Sequence, residues 1–156
     1  MVSDEEEEIF CKAKDIVYRL LNNRLRSEQE IRLALMSKNF SPPIIERVLQ
    51  YFQELDLIND VKFAQQWFSS RLQKPFGLNR ICLELKQKGV DAAVIEQTLN
   101  DLRQAYDELQ IVTMLAHRRK SRYKDATAQQ MKRRVYGYLK RRGFTAAVIL
   151  KAVQTL

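Results

Sequence analysis

Between His117 and Arg142 the chain carries eleven basic side chains: Arg118, Arg119, Lys120, Arg122, Lys124, Lys132, Arg133, Arg134, Lys140, Arg141 and Arg142. One acid, Asp125, opposes them, so this stretch holds +10, while the other sixteen basic and eighteen acidic residues leave −2. Cations in a last helical turn complement the macrodipole, which accounts for Lys140, Arg141 and Arg142 as helix-closing residues. It does not account for the whole set, because so many like charges repel one another unless an anionic partner compensates them. The chemistry such a stretch supports is attraction of a polyanion or of an acidic protein surface. Tyr123, Tyr136 and Tyr138 lie among the charges, a pattern that suits single-strand stacking, an interface or core packing.

Other chemistry is absent from the pattern. There is no phosphate-cradling glycine-rich loop, no Ser/His/Asp grouping in a recognisable context and no separable pair of acid–base carboxylates, so neither catalysis nor a cofactor is expected. The lone His117 cannot complete a metal site with Cys11 and Cys82, which lack CxxC spacing. Both cysteines fall within apolar helical patterns and are expected to be buried structural thiols. The acidic opening Asp4-Glu5-Glu6-Glu7-Glu8 has the wrong sign for a secretory signal, and the uncharged run from Gly143 to Leu150 is too short to span a bilayer. A soluble, cytoplasmic protein is the expectation, with no membrane partner.

The elements that must position the charge follow from an internal repeat. Ser41-Pro42-Pro43-Ile44-Ile45, Asp91-Ala92-Ala93-Val94-Ile95 and Thr145-Ala146-Ala147-Val148-Ile149 share a helix-capping residue followed by two β-branched apolar residues, at offsets of 50 and 54. Sliding by those offsets maps Ile31, Leu35 and Phe40 onto Ile81, Leu85 and Val90, then onto Val135, Leu139 and Phe144. Likewise Leu49 and Phe52 map onto Leu99 and Leu102, then onto Val153 and Leu156. With four glycines and three prolines in 156 residues, there is little hairpin chemistry. The expected fold is all-α: three tandem three-helix repeat units forming an elongated array, straight or curved.

The boundaries read as an acidic leader over 1–8 and repeats over 9–57, 60–105 and 107–156, the last one basic. Ser27-Glu28-Gln29-Glu30 and Thr127-Ala128-Gln129-Gln130 are capping boxes opening the central helices of repeats one and three. Ser41, Asp60 and Asn79 are further candidate caps. Lys74-Pro75-Phe76-Gly77 stops a helix, and Asn39, Gly89 and Gly143 suit left-handed helix ends. Phe63, Trp67 and Phe68 cluster in the middle repeat, as core or inter-repeat packing or as stacking platforms.

The middle repeat also carries a resemblance. Leu57-Ile58-Asn59-Asp60-Val61-Lys62-Phe63-Ala64, then Arg71, then Gly77, Arg80 and Ile81, then Leu85-Lys86-Gln87-Lys88-Gly89-Val90 resembles the signature of the RecX family. Arg26-Ser27-Glu28-Gln29-Glu30-Ile31 in the first repeat and Arg141-Arg142-Gly143-Phe144 in the third are similar to it too, so the likeness spans nearly the whole chain. It departs at Lys38-Asn39-Phe40, where lysine–glycine–hydrophobic is usual, and at Tyr123-Lys124-Asp125, where a Tyr-Gly pair is common. The acidic leader is not a family feature.

The resemblance implies a non-catalytic negative modulator of the RecA recombinase, acting in homologous recombination and the SOS response. Such proteins bind RecA on single-stranded DNA and depress filament extension, ATP hydrolysis, strand exchange and co-protease activity. On that footing the eleven basic residues are candidate DNA- or filament-binding residues. Arg71, Arg80 and Lys88 are candidate recombinase contacts, with pairing to helix carboxylates as the alternative for Arg71 and Arg80. Asp60 and Gly77 read as cap and turn. A stand-alone helical protein that binds nucleic acid, duplex DNA included, is the alternative function, and a scaffold for an acidic protein partner is a third.

Overall fold

The computed structural model describes residues 4–103 and 106–156; residues 1–3 of the acidic leader and residues 104–105 at the end of the second repeat lie outside the described residues. Among the described residues the chain forms nine helices and no strand: α1 (Asp4–Asn23), α2 (Glu28–Met36), α3 (Pro42–Glu54), α4 (Asp60–Leu72), α5 (Leu78–Gln87), α6 (Ala92–Arg103), α7 (Glu108–Lys120), α8 (Ala128–Arg141) and α9 (Ala146–Gln154). None of them is long and apolar enough to cross a membrane. The acidic residues from Asp4 are already helical, ahead of Ile9, because four carboxylates in the first turn complement the positive end of the α1 dipole.

Local chemistry sets most helix ends. The Ser27 Oγ accepts from the Glu30 N–H at 3.1 Å while Glu30 Oε2 accepts from the Ser27 N–H at 3.3 Å, a complete capping box. Thr127 and Gln130 repeat it at the start of α8. Ser41 has the extended backbone of a cap but makes no side-chain cap bond, since Pro42 and Pro43 remove two of the donors it could meet. Thr145 likewise caps by backbone alone. At α4 the cap is Asn59, not Asp60: Asn59 Oδ1 accepts from the Val61 and Lys62 N–H groups at 3.0 and 3.1 Å. Asp60 Oδ1 turns outward to accept from the Glu28 N–H at 2.9 Å and thereby caps α2, a helix far away in sequence. Asn79 lies inside the first turn of α5 rather than before it. Asn39, Gly89 and Gly143 are left-handed, with φ of 63, 76 and 87°.

The described residues divide into two compact lobes, one from residues 4–65 with Lys86–Ile95 and the other from Gln66–Leu85 with residues 96–103 and 106–156. The divide falls inside the middle repeat, whose three helices each contribute to both lobes. In the first lobe Phe10, Ala13 and Val17 of α1 pack with Ile31 and Leu35 of α2 and with Val48, Leu49 and Phe52 of α3. In the second, Val112 and Ala116 of α7 pack with Val135 and Leu139 of α8, Phe144, and Ile149 and Val153 of α9. The repeat's central-helix pairs, Ile31 and Leu35, Ile81 and Leu85, Val135 and Leu139, are all fully buried. Phe63 and Phe68 are core residues, while Trp67 is half-buried. Cys11 corrects an expectation: it is exposed, because the buried face of α1 runs through Phe10, Ala13 and Val17 and Cys11 points off it; Cys82 is half-buried.

Candidate nucleic-acid interface

The basic face of the second lobe is anchored by a backbone-to-backbone joint. The turn after α8 docks on the start of α5: the Gly77 N–H donates to the Arg142 carbonyl at 2.8 Å and the Asn79 N–H to the Gly143 carbonyl at 3.2 Å. Neither glycine has room for a side chain. A Cβ on Gly77 would sit 2.3 Å from the Gly143 carbonyl carbon, and one on Gly143 would sit 2.7 Å from the Arg80 nitrogen. The joint brings Phe76 and Arg80 against Arg142. The Arg142 Nη1 donates to the Pro75 carbonyl at 3.3 Å, tying the side chain to the loop before α5.

From there a ladder of alternating guanidiniums and rings crosses the lobe. The Arg80 guanidinium lies 3.9 Å from the centre of the Phe76 ring, and Arg142 lies 5.6 Å from Phe76 and 5.1 Å from Tyr138. Arg119 lies 4.5 Å from Tyr138 and 5.6 Å from Tyr123, and Arg134 lies 5.5 Å from Tyr123. The Arg119 Nε also donates to the Tyr123 hydroxyl at 3.1 Å. Such contacts contribute about 0.5–1 kcal/mol each at exposed sites and fix where the guanidinium planes stand. Two cavities flank the ladder. One of about 450 Å³ is lined by Tyr123, Gln130, Arg133, Arg134, Gly137 and Arg141. The other, of about 350 Å³, is lined by Phe76, Arg80, Tyr138, Arg141 and Arg142.

The structure therefore gathers Arg119, Arg133, Arg134, Arg141 and Arg142 around the ladder and its cavities. Arg118, Arg122, Lys124, Lys132 and Lys140 line neither cavity, and Lys120 donates to the Leu156 carbonyl at 2.7 Å. Among the described residues none of the eleven is ion-paired to an Asp or Glu carboxylate. Sequence reasoning misses Phe76 as anything beyond a turn residue. Its only sequence signal is its place beside Gly77, because the arginines it holds come from a neighbouring helix and from a turn far along the chain. Tyr136, although it sits among the charges, has no part in the ladder.

Arg71 and Arg80 share a partner within the second lobe. Arg71 and Arg80 converge on Glu84, at 2.8 and 3.2 Å, and Glu84 also accepts from the Trp67 indole at 3.0 Å. Lys88 belongs to the first lobe, where the turn after α5 docks on α2 as the turn after α8 docks on α5. There the Ser27 Oγ donates to the Lys88 carbonyl at 2.6 Å, and Lys88 Nζ donates to Glu30 at 2.8 Å. Glu30 also accepts a forked pair of bonds from Arg24 at 2.8 and 3.0 Å. Burial alone would raise the Glu30 carboxyl, but the bonds from Arg24, Lys88 and the Ser27 N–H prevail and hold its pKa at about 2.

Comparison with known proteins agrees with this architecture. Family models for the first, second and third three-helix domains of RecX match residues 13–52, 59–99 and 106–153. A regulatory protein RecX from Amycolatopsis mediterranei (strain U-32) is 35% identical over 140 residues, 88% of this chain and 79% of that protein. One from Haemophilus influenzae (strain PittEE) is 30% identical over 133 residues, 85% of this chain and 86% of that protein. The crystal structure of RecX from Lactobacillus salivarius superimposes with a TM-score of 0.87 over 96% of this chain and 97% of that one; at 23% identity it speaks to the fold. The chain belongs to the RecX family of regulatory proteins.

Proposed function

We propose that this chain is a negative regulator of the RecA recombinase that binds the RecA filament on single-stranded DNA. Bound there, it depresses filament extension, ATP hydrolysis, strand exchange and co-protease activity, and so tunes homologous recombination and the SOS response in the cytoplasm. The observation that carries the reading is the basic face of α7 and α8. Arg119, Arg134 and Arg142 lie against rings, Arg142 and Lys120 donate to backbone carbonyls, and among the described residues none of the eleven is paired with an Asp or Glu, so their field is available to an anionic partner. All eleven basic residues contribute to that field, and Arg119, Arg133, Arg134, Arg141 and Arg142 form its centre. Arg71, Arg80 and Lys88 remain proposed recombinase contacts; each would exchange part of an existing ion pair for the partner, so their energetic share is smaller.

The test is ATP hydrolysis by RecA on single-stranded DNA with this protein in stoichiometric excess. Hydrolysis is expected to fall. Charge reversal at Arg133, Arg134 and Arg141 is expected to restore it and to flatten the salt dependence of binding by about two units of slope. An unchanged rate with the natural chain would sink the reading.

A further inference from the structure

We infer that the Phe76–Arg142–Tyr138–Arg119–Tyr123–Arg134 part of the ladder is a rail for the phosphodiester backbone of a single strand, in which the rings hold the arginines and do not read the bases. The inference rests on the functional reading above and adds which part of the nucleic acid is recognised and by which atoms. Phe76, Tyr138 and Tyr123 each already hold two guanidiniums within 5.6 Å of the ring centre. A base seeking a platform would have to displace an arginine. The ring contacts, by contrast, use the flat faces of the guanidiniums and leave most of their N–H forks for anionic oxygens, the geometry in which arginine meets phosphate.

The arrangement has the dimensions of a rail rather than of a single anion site. Arg134, Tyr138 and Arg142 form one row along α8 at spacings of four residues, and Arg133, Gly137 and Arg141 form the row beside it. Each row runs about 12 Å along the helix axis, enough for more than one phosphate. The two cavities lie along these rows and share Arg141. Gly137 is the one small residue in the larger cavity's lining, in mid-helix, where glycine costs about 1 kcal/mol relative to alanine. It leaves space that any longer side chain would fill.

The test uses the full-length chain without recombinase and two labelled strands of equal length, oligothymidylate and an abasic phosphodiester, followed by fluorescence anisotropy. The two should bind within about twofold of each other, since the contacts are to phosphate. Tyr138→Leu should weaken both about five- to tenfold without changing the salt slope, Tyr138→Phe should bind as the natural chain does, and Arg142→Gln should lower the slope by about one. Gly137→Leu, favourable for the helix but filling the larger cavity, should weaken binding about tenfold or more while raising the melting temperature. This variant keeps the test decisive should Tyr138→Leu fail to fold.

Abasic binding tenfold weaker than oligothymidylate binding would overturn the inference by making the rings base platforms. A folded Tyr138→Leu or Gly137→Leu that binds as the natural chain does would overturn it too. Inhibition of RecA with no oligomer binding at all would remove the rail and leave the functional reading standing. Binding of both strands with no effect on RecA would support the rail and remove that reading.

Discussion

The turn after α5 and the turn after α8 each dock on the preceding central helix, the first through a side-chain hydroxyl and the second through backbone bonds, and their electrostatics differ. At the first joint Lys88 meets Glu30, which Arg24 also holds, so one carboxylate stands between two cations. At the second, the residue equivalent to Glu30 is Arg80, the residue equivalent to Lys88 is Arg142, and the Phe76 ring stands between them. The lobes around the joints follow suit. In the first lobe Arg47, stacked on Phe10, is also paired with Glu7 at 2.7 Å. In the second, the ion pairs among the described residues all run to Glu84. The repeated docking place thus leaves charge free to diverge: at one joint a carboxylate bridges two cations, and at the other aromatic rings stand between the arginines.

The largest effect should separate the joints by their backbones. Gly143→Ala and Gly89→Ala both place a Cβ at positive φ, but only at Gly143 does it meet main chain, that of Arg80. At Gly89 it meets the Gln29 side chain. Urea denaturation should show Gly143→Ala costing about 3 kcal/mol or more and Gly89→Ala about 1–2 kcal/mol. Equal costs would mean that the second joint is no tighter than the first.

Next in size is the charge at the first joint. Glu30→Gln leaves Lys88 and Arg24 without their shared carboxylate and should cost about 2–3 kcal/mol, whereas Arg80→Gln should cost less than about 1 kcal/mol, Glu84 keeping Arg71 and Trp67. The same comparison has a pH signature. Because the folded-state pKa of Glu30 is depressed to about 2, its contribution is complete above the ordinary carboxylate value of 4.5 and is lost as pH falls toward 2. That loss should reach a few kcal/mol in the natural chain, at about 1.36 kcal/mol for each tenfold difference in acid strength between the folded and unfolded states, and be absent in Glu30→Gln. Acid unfolding curves that coincide for the two would show that Glu30 is not the group that matters.

The smallest effect on stability is the sharpest on function. Arg80→Glu gives the second joint the charge pattern of the first. Stability should change by less than about 1 kcal/mol, the new carboxylate meeting Arg142 while repelling Glu84, and affinity for single-stranded DNA should fall about tenfold. A variant that binds as tightly as the natural chain would place the positive field elsewhere than the second joint.

Much of the fold was legible because helix caps and apolar spacing are local. The boxes at Ser27 and Thr127, the left-handed Asn39, Gly89 and Gly143, and the buried pairs from Ile31 to Leu139 all follow from residues within a few positions of one another. Where two local readings competed, only packing chose between them. Asn59 and Asp60 are both able caps, and Asp60 instead accepts from the Glu28 N–H in the first turn of α2. Cys11 belongs to an apolar pattern yet lies off the buried face, since periodicity defines a stripe less sharply than the neighbours that cover it.

By itself the sequence determined the helical repeat, the family and the place of the charge along the chain, because propensity, capping and composition are properties of neighbouring residues. Only the tertiary structure decided what that charge became. It set Phe76 between arginines from α5 and the turn after α8, and it left Arg119 of α7 and Arg134 of α8 on rings rather than carboxylates. The reason is physical: a field depends on distances in space, and the close approach of Gly77 to Gly143 that sets those distances joins residues no local rule connects.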